Sequence, residues 1–448
     1  MAFRCRVPAR WLATFFATAI APIATAQIFP ASITATSVRP APAFEARVGE
    51  LVAVLTVPDS YDAFFSAGLK TTLSKDKFDT LRARLLEING PVSVARIKQM
   101  ATPWSGLVEV DYHDAIATMQ LDVDPAAPHQ VAGLVIKDVS RREKSIHDIL
   151  ASLRSLHGST GFALARLATG AATPRTAHQS DRPFAIGSAF KLIILAELVR
   201  ATNAGERKWD DLVKLDGSAL PGGGYNLKPK GTPVSLRELA TQMISISDNS
   251  ATDILLKALG REKVEAMLPV LGVKDPPRNR PFLSTMEVFK LKGIEVNDLA
   301  SRYLAQDEAG RRRMLDGEVA NLPALMIRPS LFRDGKPARI DTLEWFLSPA
   351  DLVRVMDWLR RNTEGPQGAD ARAILSSNPG IAPPAANKWQ WVGYKGGSEP
   401  GVMNMTLLLQ SKAGDWYVLT ASWNDPAQPV EEARFAALIS RAAELAAP

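Results

Sequence analysis

A serine and a lysine three positions apart form the sharpest chemical feature of the sequence. Ser188 lies just before a strongly apolar run that begins at Lys191. On a helix this spacing puts both side chains on one face, so a hydroxyl and an amine can meet. Apolar surroundings disfavour a charged lysine and would make Lys191 a base, and free N–H groups at the helix start favour an oxyanion at Ser188. Taken alone, the pattern more often marks a helix cap and a solvent-exposed lysine.

Two further polar motifs follow in the same part of the chain. Ser247-Asp248-Asn249 falls between two predicted helices, where it can present a hydroxyl and an amide to a cleft. Lys395 ends a predicted strand and is followed by Gly396 and Gly397, which would let a substrate lie close to the backbone beside a positive charge. Each motif alone has an ordinary explanation, as a helix cap or a strand end.

In this order the three motifs resemble the S-x-x-K, S-D-N and K-T-G set of serine β-lactamases and penicillin-binding proteins. From Arg141 to its end the sequence resembles this superfamily and is most similar to class A β-lactamases. Residues 227–240 also resemble the approach to the second motif in class A enzymes. The whole layout resembles that of two-domain β-lactamase-like serine hydrolases, of the kind found in clavulanic acid biosynthesis.

The resemblance implies a role for each motif residue. Ser188 would be the acylated nucleophile and Lys191 its base. Ser247 would pass a proton to the leaving group, with Lys395 supporting it and attracting a substrate carboxylate. The implied substrate-binding residues are Asn249, which would hold a side-chain carbonyl, and Gly397 and Ser398, with the N–H groups of Ser188 and Ser398 as the oxyanion hole.

Two departures from the class A pattern stand out. The third motif reads Lys-Gly-Gly, so position 396 lacks a hydroxyl that Ser398 could partly replace. The Glu-x-x-Leu-Asn loop that carries the deacylating glutamate of class A enzymes is not recognisable, and Glu287 is the nearest candidate. Because Ser284 and Glu287 themselves form a capping box before an apolar helix, we expect Glu287 to be structural and deacylation to be slow.

The first 26 residues predict a cleavable secretory signal. A basic start precedes an apolar run from Trp11 to Ile23, and Ala24-Thr25-Ala26 precedes Gln27. The run is shorter than a membrane-spanning helix requires and contains Pro22, so we expect a periplasmic or secreted protein without a stable membrane anchor. Residues 27–44 are rich in Ala, Pro, Ser and Thr and predict a flexible linker.

Residues 45–140 predict a small α+β accessory domain, similar to cystatin or NTF2-like domains, with a scaffold or recognition role. Two helices, 62–72 and 75–88, precede four strands. The predicted strands are 92–100, 106–112, 115–123 and 130–139.

Residues 141–448 predict the β-lactamase/transpeptidase-like domain, so the fold class is α+β. Strands are expected near both ends of this domain and helices between them, which indicates one antiparallel sheet packed against an inserted helical subdomain. The early strands are 161–168 and a short one near Phe184, and the late strands are 389–395, 402–410 and 416–423. Extra helices are expected in 295–347, and the final helix in 430–446.

Composition excludes several classes of function. The chain has 448 residues, 46% hydrophobic and 22% charged, and a formal charge of +6 that falls when Arg4, Arg6 and Arg10 leave with the signal. This bias is too weak to indicate nucleic acid binding. The only cysteine is Cys5 in the signal, so no thiolate metal site or disulfide is available, and we expect no metal or cofactor. No G-x-S-x-G motif is present, which disfavours a Ser–His–Asp hydrolase.

Three functions remain open on the sequence. The leading one is an exported serine hydrolase that opens a β-lactam or related ester through an acyl-enzyme on Ser188. The others are an acylated β-lactam-binding or sensor protein and a D-Ala-D-Ala peptidase. Each would take a small-molecule substrate, and the sequence leaves the oligomeric state open.

Overall fold

A computed structural model describes residues 38–168 and 174–448. The predicted signal, residues 1–26, and the first part of the predicted linker lie outside the described residues. The chain divides into two compact units, and the boundary falls between Arg142 and Glu143. Each unit has its own hydrophobic core.

The first unit packs helices against one face of a four-stranded antiparallel sheet with the order β1-β2-β3-β4. Its elements are α1 Pro42–Thr56, α2 Tyr61–Phe64, α3 Ala67–Thr72, α4 Lys75–Asn89, β1 Val92–Thr102, β2 Ser105–Tyr112, β3 Ala115–Val123 and β4 Val131–Arg141. Along β2 and β3 buried and half-buried residues alternate, because successive side chains of a strand point to opposite faces. The likeness of this unit to cystatin or NTF2-like domains stays a prediction.

Two sequence expectations for this unit are wrong. Helix α1 begins at Pro42, so residues 42–44 of the predicted linker are helical, and the helix itself was not predicted. The helix expected over 62–72 is two short helices, because Phe65 is extended and Ser66 caps the second by accepting from Leu69 N. Phe65 instead packs in the core against Phe64 and Phe78.

The second unit is built on a five-stranded sheet with the order β11-β12-β13-β5-β6. Its strands are β5 Ser159–Leu167, β6 Thr176–His178, β7 Phe184–Ala185, β8 Leu212–Lys214, β9 Pro233–Ser235, β10 Phe346–Leu347, β11 Trp391–Glu399, β12 Val402–Gln410 and β13 Trp416–Asn424. The early strand β5 pairs antiparallel with the late strand β13, with Ser159 opposite Asn424. This confirms a sheet assembled from both ends of the domain. The short strand near Phe184 is β7, which pairs with β10 in a separate two-stranded sheet.

Helices cover both faces of this sheet. They are α5 Ile146–Ser155, α6 Lys191–Asn203, α7 Leu236–Ser245, α8 Asn249–Leu259, α9 Arg261–Val270, α10 Thr285–Gly293, α11 Leu299–Leu304, α12 Glu308–Met314, α13 Pro349–Asn362, α14 Ala369–Ser376, α15 Pro383–Ala386 and α16 Glu432–Ala446. Helices α5 and α16 share a core with one sheet face, and the helical subdomain surrounds α6 on the other.

Helix α6 is the centre of the helical subdomain. Every residue from Lys191 to Val199 is buried. Such a helix has no polar face, so neighbouring helices must enclose it. The one acid in this stretch, Glu197, receives two hydrogen bonds from Arg200.

The region between α10 and β10 holds α11, α12 and a π-helical turn over Leu315–Val319. Extra helices were expected in 295–347, although its last part, from about residue 327 to 345, is irregular. In the part of the chain that the structure describes, no helix combines the length and apolarity needed to cross a membrane.

Candidate active site

Ser188 lies in a 3-10 turn, Gly187–Phe190, that leads directly into α6. The backbone N–H of Lys191 donates to Ser188 O, and in a 3-10 turn residues three apart lie over one another. The turn begins at Gly187, whose φ of +47° is a conformation that glycine adopts without strain. Asn424 anchors the preceding strand by bonding both the N–H and the carbonyl of Ala185. The sequence thus brings Ser188 to a fixed turn at the start of the buried helix.

Lys191 points into the second predicted motif. Its Nζ donates to Ser247 O at 2.8 Å, to Ser247 Oγ at 3.1 Å and to Asn249 Oδ1 at 2.8 Å. The side chain is 0% exposed. Ser188 Oγ makes no hydrogen bond with any residue in the described ranges, so its hydroxyl is not committed to a structural contact.

Burial changes the ionisation of Lys191. Loss of hydration lowers its pKa from 10.5 to about 7, although the charges of Asp253 and Asp248 act in the opposite direction. A neutral amine has a lone pair and can accept a proton, which a charged one cannot. Near neutral pH this lysine can therefore act as a base.

Ser247 joins the first and third motifs. Its φ of +58° is left-handed, and its carbonyl and hydroxyl both face Lys191. Lys395 Nζ donates to the same Oγ at 3.0 Å and to Gly396 O at 2.5 Å. A hydroxyl that accepts from two amines uses both lone pairs, so its own hydrogen is free for a third group. Burial and the nearby Lys191 hold the pKa of Lys395 well below its usual value.

Asp248 fixes the loop that carries Ser247. It caps α8 by accepting from Ala251 N at 2.8 Å and from Ser250 Oγ at 2.5 Å. Its other oxygen accepts from Gly224 N at 2.6 Å. Gly223 precedes Gly224 in another loop that packs against Asp248. A Cβ on Gly223 would overlap Asp248 and Ser250, so glycine is required where the two loops touch.

Asp253 lies one helical turn beyond Asn249 and was not singled out in the sequence. Its two carboxylate oxygens accept from Thr285 N at 2.8 Å and Met286 N at 2.9 Å, which are the first N–H groups of α10. Burial raises its pKa to about 6, while the N–H bonds favour its charged form. The one sequence signal for Asp253 as a site residue is its position four residues after Asn249, which places both on the same helix face.

The third motif lies against the turn of Ser188. A Cβ on Gly397 would overlap the backbone of Ile186 and Ser188, so strand β11 approaches this turn as closely as a backbone can. The N of Ser398 is 3.1 Å from the position of a Cβ on Gly187. The backbone nitrogens of Ser188 and Ser398 are therefore neighbours, an arrangement that can hold an oxyanion.

The glycine at position 396 has a steric cause. A Cβ there would overlap the hydroxyl of Tyr394, whose ring folds back along the same face of β11. The ring is in turn covered by Gly380, where a Cβ would overlap its carbons. A threonine at position 396 does not fit while Tyr394 keeps this orientation.

Glu287 is engaged in structural contacts. It closes the capping box with Ser284, accepting from Ser284 N at 2.7 Å. Arg261 bonds both of its oxygens, at 2.6 and 3.0 Å. Together these three bonds use both carboxylate oxygens.

A buried ion cluster fixes the end of β11. Lys292 of α10 donates to Glu344 and to Glu399 at 2.5 Å each, and its side chain is 0% exposed. Burial and the adjacent Glu344 raise the pKa of Glu399 well above its usual value. Two carboxyl groups therefore share the single lysine in this cluster.

The comparisons with known proteins agree with this architecture. The sequence profile of the β-lactamase enzyme family matches residues 141–446, so the chain belongs to that family. This confirms the resemblance to the serine β-lactamase and penicillin-binding protein superfamily and the β-lactamase-like fold class.

The chain is also similar to several solved structures, at low sequence identity. A β-lactamase from Sphaerobacter thermophilus has 22% identity and a TM-score of 0.46, with 68% of this chain and 96% of that chain covered. A β-lactamase from Chitinophaga pinensis has 16% identity and a TM-score of 0.46, with 68% and 100% covered. The protein PBP-A has 16% identity and a TM-score of 0.46, with 67% and 92% covered.

Proposed function

We propose that this protein is an active-site-serine hydrolase that opens a β-lactam or a related ester through an acyl-enzyme on Ser188. The observation that carries the proposal is Lys191. It is fully buried three positions after Ser188, bonded to Ser247 and Asn249, and its pKa is lowered to about 7. Lys292 is equally buried but is paired with two carboxylates, whereas Lys191 has no ion-pair partner among the described residues, which suits it to act as a base.

Acylation combines Ser188 with the hydrogen-bonded group formed by Lys191, Ser247 and Lys395. Neutral Lys191 takes the proton of Ser188 as its Oγ attacks the substrate carbonyl. The N–H groups of Ser188 and Ser398 hold the oxyanion that forms. Ser247 then gives its proton to the leaving nitrogen or oxygen as the bond to the carbonyl carbon breaks, and the proton held by Lys191 replaces it.

Substrate binding falls to the residues at the edge of the site. Lys395 takes up a proton as a substrate carboxylate approaches, because the negative charge raises the pKa that burial lowers, and the Asn249 amide donates to a side-chain carbonyl. Because β11 is an edge strand of the main sheet, the substrate can lie along it as an added strand.

Deacylation requires an activated water, and Glu287 is poorly suited to activate it. Its carboxylate oxygens are held by Ser284 N and by two nitrogens of Arg261. We therefore propose that the acyl-enzyme of an ordinary penicillin is long-lived. Esters turn over better if Lys191 activates the water.

The decisive experiment combines intact-mass spectrometry with pre-steady-state kinetics. Penicillins, cephalosporins and simple esters are mixed with the protein, and the adduct on Ser188 is followed over time. An adduct that forms quickly and is released with multiple turnovers supports a hydrolase. An adduct that is never released would indicate a binding or sensor protein, and no adduct on Ser188 would refute the proposal.

Export is the remaining part of the proposal. The small-residue site Ala24-Thr25-Ala26 motivates a mature N-terminus at Gln27 and a periplasmic or secreted enzyme. Terminal sequencing of the exported protein tests it, and a retained Met1 or Ala2 would contradict it.

A further inference from the structure

A small polar cavity lies behind the active-site turn, within the second unit. It is bounded by residues 278–283, by α11 and α12, and by residues 342–345. Trp345 forms one wall and stacks on Phe190 with 3.6 Å between ring centroids, and Phe190 lies between Ser188 and Lys191. The cavity volume is about 30 Å³. This is room for about two water-sized atoms.

Three arginines line this cavity, and none has an ion-pair partner in the part of the chain that the structure describes. Arg280 makes no side-chain hydrogen bond there, and its Nε is buried. Among the described residues, the buried Nε of Arg311 is also unpaired, and only its Nη2 donates, to Leu304 O at 3.1 Å. Arg278 is exposed and stacks over the Phe346 ring at 4.1 Å. A buried N–H without an acceptor costs free energy, so unpaired donors facing one cavity indicate a missing acceptor.

The charge balance around the cavity is positive. Glu344 also lines it; its Oε1 accepts from Lys292, which Glu399 shares, and its buried Oε2 has no hydrogen-bond partner among the described residues. Two acids of neighbouring elements are also paired, Glu287 with Arg261 and Glu265 with Arg312. The three guanidinium groups outnumber the one carboxylate in the lining, and such a concentration of one sign attracts an anion.

Tyr303 adds a further donor. Its residue is buried and lines the cavity, and its ring lies 5.5 Å from the Arg311 guanidinium carbon. The Tyr303 hydroxyl makes no hydrogen bond with a described residue. Burial raises the pKa of Tyr303, so the hydroxyl keeps its proton and can donate it to an acceptor in the cavity.

We infer that the cavity between Arg280, Arg311 and Tyr303 is a binding site for a single carboxylate group. Guanidinium groups bind carboxylates through paired N–H donors, and a carboxylate presents two oxygens, which matches the volume. The carboxylate belongs either to an extended substrate acylating Ser188 or to a separate small carboxylic acid. The binding itself does not depend on the function proposed for Ser188.

The first test is thermal unfolding of the full chain in sodium acetate, compared with sodium chloride at equal ionic strength. At roughly tenfold the dissociation constant, acetate should raise the melting temperature by roughly 2 °C. Arg280→Gln and Arg311→Gln should each abolish this rise. Arg313→Gln is the matched control, since Arg313 lies on the same helix as Arg311, is exposed and makes no hydrogen bond or ion pair with a described residue.

The melting temperatures without acetate show whether each variant folds. Loss of the acetate effect in folded Arg280→Gln or Arg311→Gln, with the effect retained in Arg313→Gln, supports the site. Equal stabilisation of all four proteins, or no stabilisation of the wild type beyond that in chloride, overturns it.

A second test identifies the source of the carboxylate. Two p-nitrophenyl esters are compared, one whose acyl chain ends in a carboxylate and one that ends in a methyl group. A preference for the charged ester that falls about tenfold or more in Arg280→Gln assigns the site to the substrate. Acetate binding without such a preference assigns it to a separate acid. If neither ester is hydrolysed but acetate still binds, the proposed function fails and the carboxylate site stands.

Discussion

The pH dependence of Ser188 acylation is the sharpest consequence of the buried lysine. Only neutral Lys191 can accept the proton of Ser188, and its pKa is about 7. The rate of covalent labelling should therefore rise about tenfold per pH unit below this value and become constant above it. An ordinary lysine would give a rate that still rises at pH 9.

The size of the advantage follows from the pKa. With a pKa of about 7, half of Lys191 is neutral at neutral pH, whereas with the usual 10.5 about one molecule in 3,000 would be. Burial therefore makes the base roughly a thousandfold more available. The same burial has a cost in the free energy of unfolding. Protonated Lys191 is less favourable in the folded chain than in the unfolded chain, which holds its proton up to a higher pH. That cost is largest at and below neutral pH and disappears as the pH rises toward 10.5.

The assay is pseudo-first-order labelling with a fluorescent penicillin over a range of about pH 5 to 9. Lys191→Arg keeps the charge at every pH, so labelling should be slower by roughly 10²-fold or more and show no inflection. Lys412→Ala is the control, since Lys412 is exposed, and it should reproduce the wild-type profile. A wild-type rate that does not change over this range, or an inflection only near pH 10, would refute the role of Lys191 as base.

Four further outcomes are expected. Ser188→Ala should remove all covalent labelling while its circular dichroism stays unchanged, and wild-type labelling by this variant would end the assignment of the nucleophile. Penicillin hydrolysis should begin with a burst of one product equivalent per site. Glu287→Gln should lower the free energy of unfolding by about 2 kcal/mol without changing the rate after the burst, because it weakens the bond to Arg261. A selective loss of that slow rate would instead make Glu287 the deacylating base. Gly396→Thr should cost about 1–3 kcal/mol in urea unfolding because it meets Tyr394, and adding Tyr394→Ala should relieve part of this strain; equal stability of wild type and Gly396→Thr would contradict the clash.

The parts of the fold that could be predicted are those with strong local signals. The strands of the main sheet are apolar and separated by turns, and the structure places them within a few residues of the expected ends. Helix α6 was recognisable because it is apolar nearly all round. Helix α1 was missed because its first residues, Pro42 and Ala43, continue an Ala- and Pro-rich composition that is typical of a linker.

The residues of the candidate site also differ in how far the sequence predicts them. Ser188, Lys191, Ser247 and Asn249 carry their signal in short motifs, and the structure places the last three in direct contact. Asp253 and the Lys292 cluster carry no such signal, because their partners are distant in sequence. Lys292 and Glu399, for example, are 107 residues apart. Contacts of this kind depend on the packing of whole elements, which single-sequence patterns do not encode.

The pairing of β5 with β13 has a consequence for how the chain folds. Arg166 of β5 bonds Asp415, which directly precedes β13, and the two are 249 positions apart in the sequence, so the sheet cannot form until a very long loop has closed. The entropy of closing a loop grows only logarithmically with its length, which adds little to the equilibrium cost. The rate is affected far more, because distant contacts form slowly. Until closure, the buried face of the sheet and the apolar helix α6 lack their cover, and both are surfaces on which partly folded chains aggregate. Removing β13 would therefore leave the rest of the second unit without its central strand pairing, however complete the local helices are.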